Sequence, residues 1–253
     1  MPIRLAARTL PLLLLAVLAL AWPASAGAAE RLRFSGYDFT VKVGNGLGPG
    51  PNDWRPSQAF VDGRGRLHLK LSRKNGRWYA GEVESVGRFG YGTYEIDVLA
   101  DIGGQDKNVV FGFFTYPPAD VGPDATHEID VEFARWGSQR TPPLNFTVWP
   151  VDPRLPTAHR EFAFPGGMRK SRHSFTWLRD RVVYSSALIG ANGRPYREVG
   201  WTFKPKKDVR RRISASPMPV FFNLWGFRGQ APSDGKPVEV IVERFRYTPA
   251  TKP

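Results

Sequence analysis

Three carboxylates alternate with apolar residues in segment 128–133 of the chain. Successive side chains of a β-strand point to opposite faces, so an extended segment here places Glu128, Asp130 and Glu132 on one face. The other face carries the three apolar residues that are predicted to pack into a core: Ile129, Val131 and Phe133. Like charges this close raise one another's pKa and cost stability, so we expect a functional reason for the arrangement.

The spacing of the two glutamates suits the cleavage of a glycosidic bond. A glycosidase that retains configuration uses two carboxyl groups about 5 Å apart, one as nucleophile and one as proton donor. The Cα atoms of Glu128 and Glu132 lie about 13 Å apart on a flat strand, and two long side chains leaning together on a curved sheet shorten that gap. Asp130 lies between them, where a hydrogen bond to one carboxyl helps to separate the two pKa values.

Two other interpretations of the triplet stay open on the residues alone. Three acids can bind Ca²⁺, although ligands on one straight strand surround an ion poorly. The acids can also form a solvated strand face without a function. The four histidines show no metal-ligand spacing. We therefore predict no metal site and no required cofactor, and a structural Ca²⁺ is possible but not indicated.

The elements that must position these acids are β-strands. Short apolar or alternating runs recur about every ten residues, separated by Gly, Pro, Asn and Asp, which is typical of a sandwich or barrel. Residues 44–56 are predicted to form a long ordered loop. The strands are predicted at 67–71, 91–99, 109–115, 128–133, 144–148, 174–178, 182–188, 220–224 and 238–247.

The N-terminal segment has the pattern of a secretory signal. Arg4 and Arg8 precede an apolar run at 10–22, and the small residues 24–26 follow it as a cleavage site. We predict a signal peptide at 1–26 and a secreted or periplasmic protein. No second long apolar run follows, so no stable membrane insertion is expected after cleavage.

The remainder is predicted to be one domain, with a strand and loop region at 27–57 and the β-sandwich at 58–253. The chain has no cysteine, which excludes disulfides and thiolate metal sites. Its net charge is +13, or +11 without the signal. This charge favours anionic partners or reflects a solvated basic surface. No nucleic-acid-binding module accompanies it, so no nucleic acid is expected as a partner, and the chain is expected to be a monomer.

Several motifs in order resemble glycoside hydrolase family 16, the endo-glucanases and galactanases with a concanavalin-like jelly-roll fold. The Glu-x-Asp-x-Glu strand looks like the family signature in its lichenase-like form. The resemblance extends from about residue 58 to 248. The other segments that carry it are 81–85 with 90–95, 111–116, 144–146, 173–177 and 222–225.

The resemblance implies an all-β jelly-roll sandwich of two curved antiparallel sheets with the active site on the concave face. It implies that Glu128 is the nucleophile, Asp130 an assisting acid and Glu132 the general acid/base. The positions that it implies for sugar contacts are Glu82, Asn145, Asn223 and Trp225. Trp225 also makes sense on its own chemistry, because an indole face is a platform for the apolar face of a pyranose. Trp136 and Trp149 are weaker candidates.

The implied activity is that of a secreted, retaining, endo-acting hydrolase of internal β-glycosidic bonds, with a polysaccharide as substrate. A β-1,3- or β-1,3/1,4-glucan follows from the lichenase-like layout, and an acidic galactan or wall polymer suits the basic surface. Glu84 stands where lichenases tend to carry Arg, which leaves the substrate open. A non-catalytic, lectin-like carbohydrate-binding module and a transglycosylase are the rival functions.

Overall fold

The computed structural model describes residues 30–251 as two large antiparallel β-sheets that face each other. The strands are β1 Arg31–Phe34, β2 Tyr37–Val41, β3 Gly44–Leu47, β4 Asn52–Trp54, β5 Ala59–Val61, β6 Leu67–Lys74, β7 Arg77–Tyr79, β8 Gly81–Ser85, β9 Gly92–Leu99, β10 Val109–Thr115, β11 Ile129–Ala134, β12 Leu144–Val148, β13 Ala158–Phe162, β14 Lys170–Trp177, β15 Val182–Ile189, β16 Pro195–Phe203, β17 Val220–Gly226 and β18 Val238–Pro249. Helical turns are confined to Pro56–Gln58, Val209–Arg212 and Phe227–Gly229 within the described part of the chain.

The order of strands in the two sheets is that of a jelly roll. One sheet, called the cleft sheet below, has the order β1-β2-β8-β17-β10-β11-β12-β13. The other, called the outer sheet, has the order β16-β15-β14-β9-β18-β6-β5, with β7 paired to β6. Strands far apart in sequence, such as β8 and β17, are neighbours in space. The prediction of an all-β jelly-roll sandwich is therefore confirmed.

Aromatic side chains fill the space between the sheets. Phe113 on β10 and Phe222 on β17 stack with ring centroids 5.4 Å apart, and both are fully buried. Phe245 reaches them from β18 of the outer sheet, with its centroid 6.2 Å from that of Phe113. This packing fixes β10 and β17 at the centre of the cleft sheet, beside the strand that carries the acids.

All nine predicted strand segments are strands in the structure, with shifted ends. The nine segments omit β5, β7, β8, β13 and β16, and the strands β1 to β4 of the predicted strand and loop region at 27–57. Of these, β1, β5, β13 and β16 are the edge strands of the two large sheets. Edge strands are partly exposed on both faces, so their apolar alternation is weak. The prediction of a loop at 44–56 is wrong in detail, because β3 and β4 pair there as a short hairpin.

The predicted signal peptide lies outside the described residues. In residues 30–251 no helix has the length and apolar character needed to cross a membrane. The division of the domain at residue 57 stays a prediction.

Candidate active site

The acidic triplet lies on β11 and just before it, with its carboxylates on the side away from the core. Ile129, Val131 and Phe133 are each 1% exposed and pack toward the outer sheet. Glu128 precedes the first residue of β11, yet its carbonyl oxygen still accepts a hydrogen bond from the Trp149 amide at 2.9 Å. The predicted alternation of the segment is thereby confirmed.

Strand register places Glu132 in a polar row that crosses the cleft sheet. Glu132 pairs with Gly112 on β10, Gly112 pairs with Asn223 on β17, and Asn223 pairs with Glu82 on β8. Paired residues of neighbouring strands point to the same face, so these side chains share the face of Glu132. The structure therefore brings together residues that are 141 positions apart in sequence.

A second row, through Asp130, is largely aromatic. Asp130 pairs with Phe114, whose partners along the row are Phe221 and then Glu84. The rings of Phe114 and Phe221 stack with centroids 5.2 Å apart. They form an apolar floor between the catalytic candidates and Glu84.

A cavity of about 820 Å³ lies over these rows. Its polar part includes Glu128 and Glu132, while Asp130 lies behind it and is 3% exposed. Five aromatic side chains contribute to its wall: Phe114, Tyr116, Trp149, Phe221 and Trp225. Such a cavity, with flat apolar surfaces and a few polar groups, suits a sugar chain.

Asp130 and Glu128 share a hydrogen bond that assigns a proton to Asp130. Trp149 Nε1 donates to Asp130 Oδ2 at 2.8 Å, and no amide, hydroxyl or ring N–H donates to Oδ1. Burial, the Glu128 charge and the bond to Glu128 hold the pKa of Asp130 well above its usual range, because the protonated Asp130 donates to the Glu128 carboxylate. The same bond lowers the pKa of Glu128.

Glu128 and Glu132 differ in how strongly the protein opposes their ionisation. Burial raises the pKa of Glu128 to about 8, and the charges of Glu132 and other acids add to the rise, while Asp130 offsets part of it. Burial holds the pKa of Glu132 well above its usual range, ionisation of Asp130 would raise it further, and no hydrogen bond offsets the rise. The hydrogen bond from Asp130 therefore favours the ionised form of Glu128, and Glu132 has no corresponding offset.

Glu82 and Asn223, both predicted to contact sugar, line the cavity and bind each other. Asn223 Nδ2 donates to Glu82 Oε2 at 3.0 Å, and Lys42 Nζ donates to Glu82 Oε1 at 2.7 Å. Asn223 Oδ1 has no donor and lies so close to Gly112 that a Cβ at 112 would come within 2.5 Å of it. Glycine at 112 thus leaves room for the Asn223 carbonyl between β17 and Glu132.

The prediction of a sugar contact for Asn145 is wrong in this structure. Asn145 is 0% exposed and does not line the cavity. Its Nδ2 donates to the carbonyl oxygens of Ala134 and Pro143, and its Oδ1 accepts from Trp136 Nε1. The amide is fully used in holding the chain after β11, so it has no group left for a ligand.

Trp225 and Trp149 both line the cavity, while Trp136 does not. Trp225 is 7% exposed and lies two residues beyond Asn223, on the same face of β17. Trp149 is closer to the catalytic candidates than the sequence indicates, because its ring N–H donates a hydrogen bond directly to Asp130.

Sequence reasoning missed Lys42, Asn52 and Asp124. Asn52 joins the β3–β4 hairpin to Gly226, donating to its carbonyl at 3.0 Å and accepting from its amide at 3.1 Å. Asp124 accepts a 2.6 Å hydrogen bond from the Tyr116 hydroxyl at the cavity wall. All three lie in segments without a repeating pattern, and only the Gly- and Pro-rich composition of residues 44–56 marked the first loop as special.

Known proteins with related sequences are glucan hydrolases by name. A β-glucanase of Acetivibrio thermocellus is 27% identical over 219 residues, which cover 78% of this chain and 54% of that protein. An endo-1,3-1,4-β-glycanase of Rhizobium meliloti is 29% identical over 209 residues, which cover 78% of this chain and 68% of that protein. The chain thus spans about half the length of the first of these relatives. No protein-family profile matches the chain.

Solved structures with a similar fold are also named as glycoside hydrolases. The structure of a glycoside hydrolase family 16 endo-glucanase from Bacteroides ovatus superimposes with a TM-score of 0.61 at 14% identity, over 83% of this chain and 94% of that one. The resemblance that the motifs predict is thereby confirmed in the fold of the chain, and the related sequences are those of proteins named as a glucanase and a glycanase.

Proposed function

We propose that this protein is an endo-acting glycoside hydrolase that cleaves internal bonds of a β-1,3- or β-1,3/1,4-glucan and retains configuration. The observation that carries the proposal is the arrangement of three carboxyls on one face of one strand, with Glu128 and Glu132 lining the cavity and Asp130 behind it, bound by Trp149. The related proteins support the reaction class and the substrate, since they are named as a β-glucanase and an endo-1,3-1,4-β-glycanase.

The reaction proceeds in two displacements. In the first, a carboxylate oxygen of Glu128 attacks the anomeric carbon, the glycosidic C–O bond breaks, and the proton of Glu132 goes to the leaving oxygen. In the second, the Glu132 carboxylate takes a proton from water, whose oxygen attacks the anomeric carbon and releases Glu128. Both steps use protein carboxyls alone, so the proposed mechanism requires no cofactor.

Asp130 acts as a positioning residue in this mechanism. Its hydrogen bond to Glu128 stabilises the ionised nucleophile, and Trp149 holds the Asp130 carboxyl in place. Because Asp130 lies behind the cavity and is 3% exposed, it tunes its neighbours without touching the sugar.

A lectin-like module explains the site less well. Three carboxyls on one strand, with Asp130 buried and the two glutamates half-buried, oppose one another's ionisation and cost stability, and sugar binding by itself has no use for both glutamates. A transglycosylase uses the same intermediate, with a sugar hydroxyl in place of water. A screen of glucans, galactans and wall polymers that measures new reducing ends and product sizes separates the three functions.

The roles of the two glutamates are tested by chemical rescue. With an activated aryl glycoside, Glu128→Ala should lose activity by several orders of magnitude, and azide should restore turnover with an inverted product because it fills the space of the nucleophile. Glu132→Ala should still form the intermediate, and azide should give a product with retained configuration. NMR of the azide products decides. Inversion from Glu132→Ala and retention from Glu128→Ala would mean that the roles are exchanged.

The raised pKa of Glu128 predicts a pH-dependent effect on stability. The folded state keeps the Glu128 proton up to a pKa of about 8, while the unfolded chain releases it near its model value of 4.5. The contribution of Glu128 to stability is therefore complete below about pH 4.5 and is lost as the pH rises toward 8. Glu128→Gln cannot ionise, so it should match the parent at pH 4 and exceed it in stability by roughly 4 kcal/mol at pH 8.

Thermal unfolding of both proteins from pH 4 to 8 measures this difference, which corresponds to a rise in Tm of about 8–16 °C at pH 8. Glu198→Gln, at an exposed position on β16, is the matched control and should show no such trend. A Tm difference for Glu128→Gln that stays constant across this range would contradict the assignment.

We also propose that the protein is exported and cleaved after Ala26, on the pattern of residues 1–26 alone. N-terminal sequencing of protein recovered outside the cytoplasm should find Gly27, or Ala29 if the second site is used. Recovery of the chain with Met1 intact would contradict export by cleavage.

A further inference from the structure

The cavity has a charge opposite to that of the chain. The chain carries a net charge of +13, yet one lysine, Lys42, is the only basic residue in the cavity wall within residues 30–251. Five acids line the same wall: Glu82, Glu84, Asp124, Glu128 and Glu132. A glycan that enters this cavity therefore meets an acidic surface on a basic protein.

Among the described residues, Lys42 forms a salt bridge with one acid of this wall, Glu82. Its Nζ binds Glu82 Oε1 at 2.7 Å and the Gly48 carbonyl at 2.6 Å, and it lies 4.5 Å from the centre of the Trp54 ring. These contacts commit the lysine to one carboxylate and to the β3–β4 hairpin.

Glu84 is an exposed acid of this wall, on β8. Among the ion pairs of the described residues none includes Glu84. Arg88, the nearest basic residue in sequence, donates instead to both oxygens of Asp120 at 2.7 and 2.8 Å. Burial and the Glu82 charge raise the pKa of Glu84, and the charges of Lys42 and Arg88 offset only part of that rise.

Glu84 lies three strands away from the catalytic acids, and therefore away from the bond that is cleaved. Glu84 on β8 belongs to the same row as Asp130 on β11, with Phe221 and Phe114 between them. Three strand spacings amount to about 14 Å, so Glu84 contacts a different part of the glycan from the catalytic acids. The stacked phenylalanines form the surface on which the sugar chain crosses from one to the other.

We propose that Glu84 is a specificity-determining residue that restricts this cavity to glycan segments without acidic substituents. The inference rests on the proposed function and names its substrate class. A carboxylate accepts hydrogen bonds from neutral sugar hydroxyls, whereas a uronate or sulfate at the same place meets an uncompensated like charge. An acidic galactan or wall polymer, which the net charge of the chain suggests, is then excluded from the cavity.

The test compares two derivatives of one β-glucan with equal substitution, one carboxymethylated and one hydroxyethylated. The two substituents have similar size and differ in charge, so the ratio of their kcat/KM values isolates electrostatics. The parent should favour the hydroxyethyl derivative by about tenfold or more, and 0.5 M salt should reduce the ratio because exposed charges are then screened.

Glu84→Arg should lower that ratio at least severalfold, and Glu84→Gln should lower it by a smaller factor. Glu198→Arg makes the same change of two charge units on β16 of the outer sheet and should leave the ratio at the parent value. A ratio in Glu84→Arg equal to that in Glu198→Arg overturns the proposal. If Glu84→Arg fails to fold, Glu84→Gln decides by the same comparison.

Binding separates this proposal from the proposed function. Calorimetry with Glu132→Gln, and with Glu132→Gln carrying Glu84→Arg, measures the affinities for the two kinds of derivatised oligosaccharide without turnover. If the parent cleaves no glucan but its preference for the hydroxyethylated oligosaccharide depends on Glu84, the role of Glu84 stands and the hydrolase function is wrong. If the parent cleaves glucan but its preference between the two derivatives does not depend on Glu84, the hydrolase function stands and the role of Glu84 is wrong.

Discussion

The site depends on one electrostatic constraint, which is that three carboxyls on one strand cannot all be ionised in a space with little water. Each lies two residues from the next, and all three have a raised pKa, chiefly because of burial. The protein resolves the conflict by giving each acid different neighbours. Asp130 donates to Glu128 and is held by Trp149, whereas Glu132 receives no such bond. The two glutamates thereby differ in the groups that favour or oppose their ionisation.

The fold supplies those neighbours through strand pairing. A jelly roll places β8, β17 and β10 beside β11, although they come from distant parts of the chain. The core aromatics behind them, such as Phe113 and Phe222, hold the register in which Glu132 faces Gly112 and Asn223. A slip of one residue in strand pairing would turn every acid of β11 into the core. The core packing and the position of the catalytic acids therefore depend on the same strand register.

The sequence predicted those structural features that depend on a periodic pattern of residues. Alternation in 128–133 predicted the shared face of the acids, and the spaced apolar runs predicted the sandwich. It was insufficient for contacts between segments that have no common pattern. Lys42 binds Glu82 across 40 residues, and its loop gives no sign of that partner. Asn145 matched a motif, yet burial and three hydrogen bonds make it a structural residue, which only the surrounding atoms reveal.

The central claim, that Glu128 ionises before Asp130 and Glu132, is open to direct measurement in the free protein. ¹³C NMR of the side-chain carboxyl carbons, titrated with pH and assigned with Glu128→Gln, Asp130→Asn and Glu132→Gln, follows each group separately. The account predicts that the Glu128 resonance moves first, with a midpoint near pH 8, while the other two remain protonated. Ionisation of Glu132 or Asp130 at a lower pH than Glu128 would contradict it.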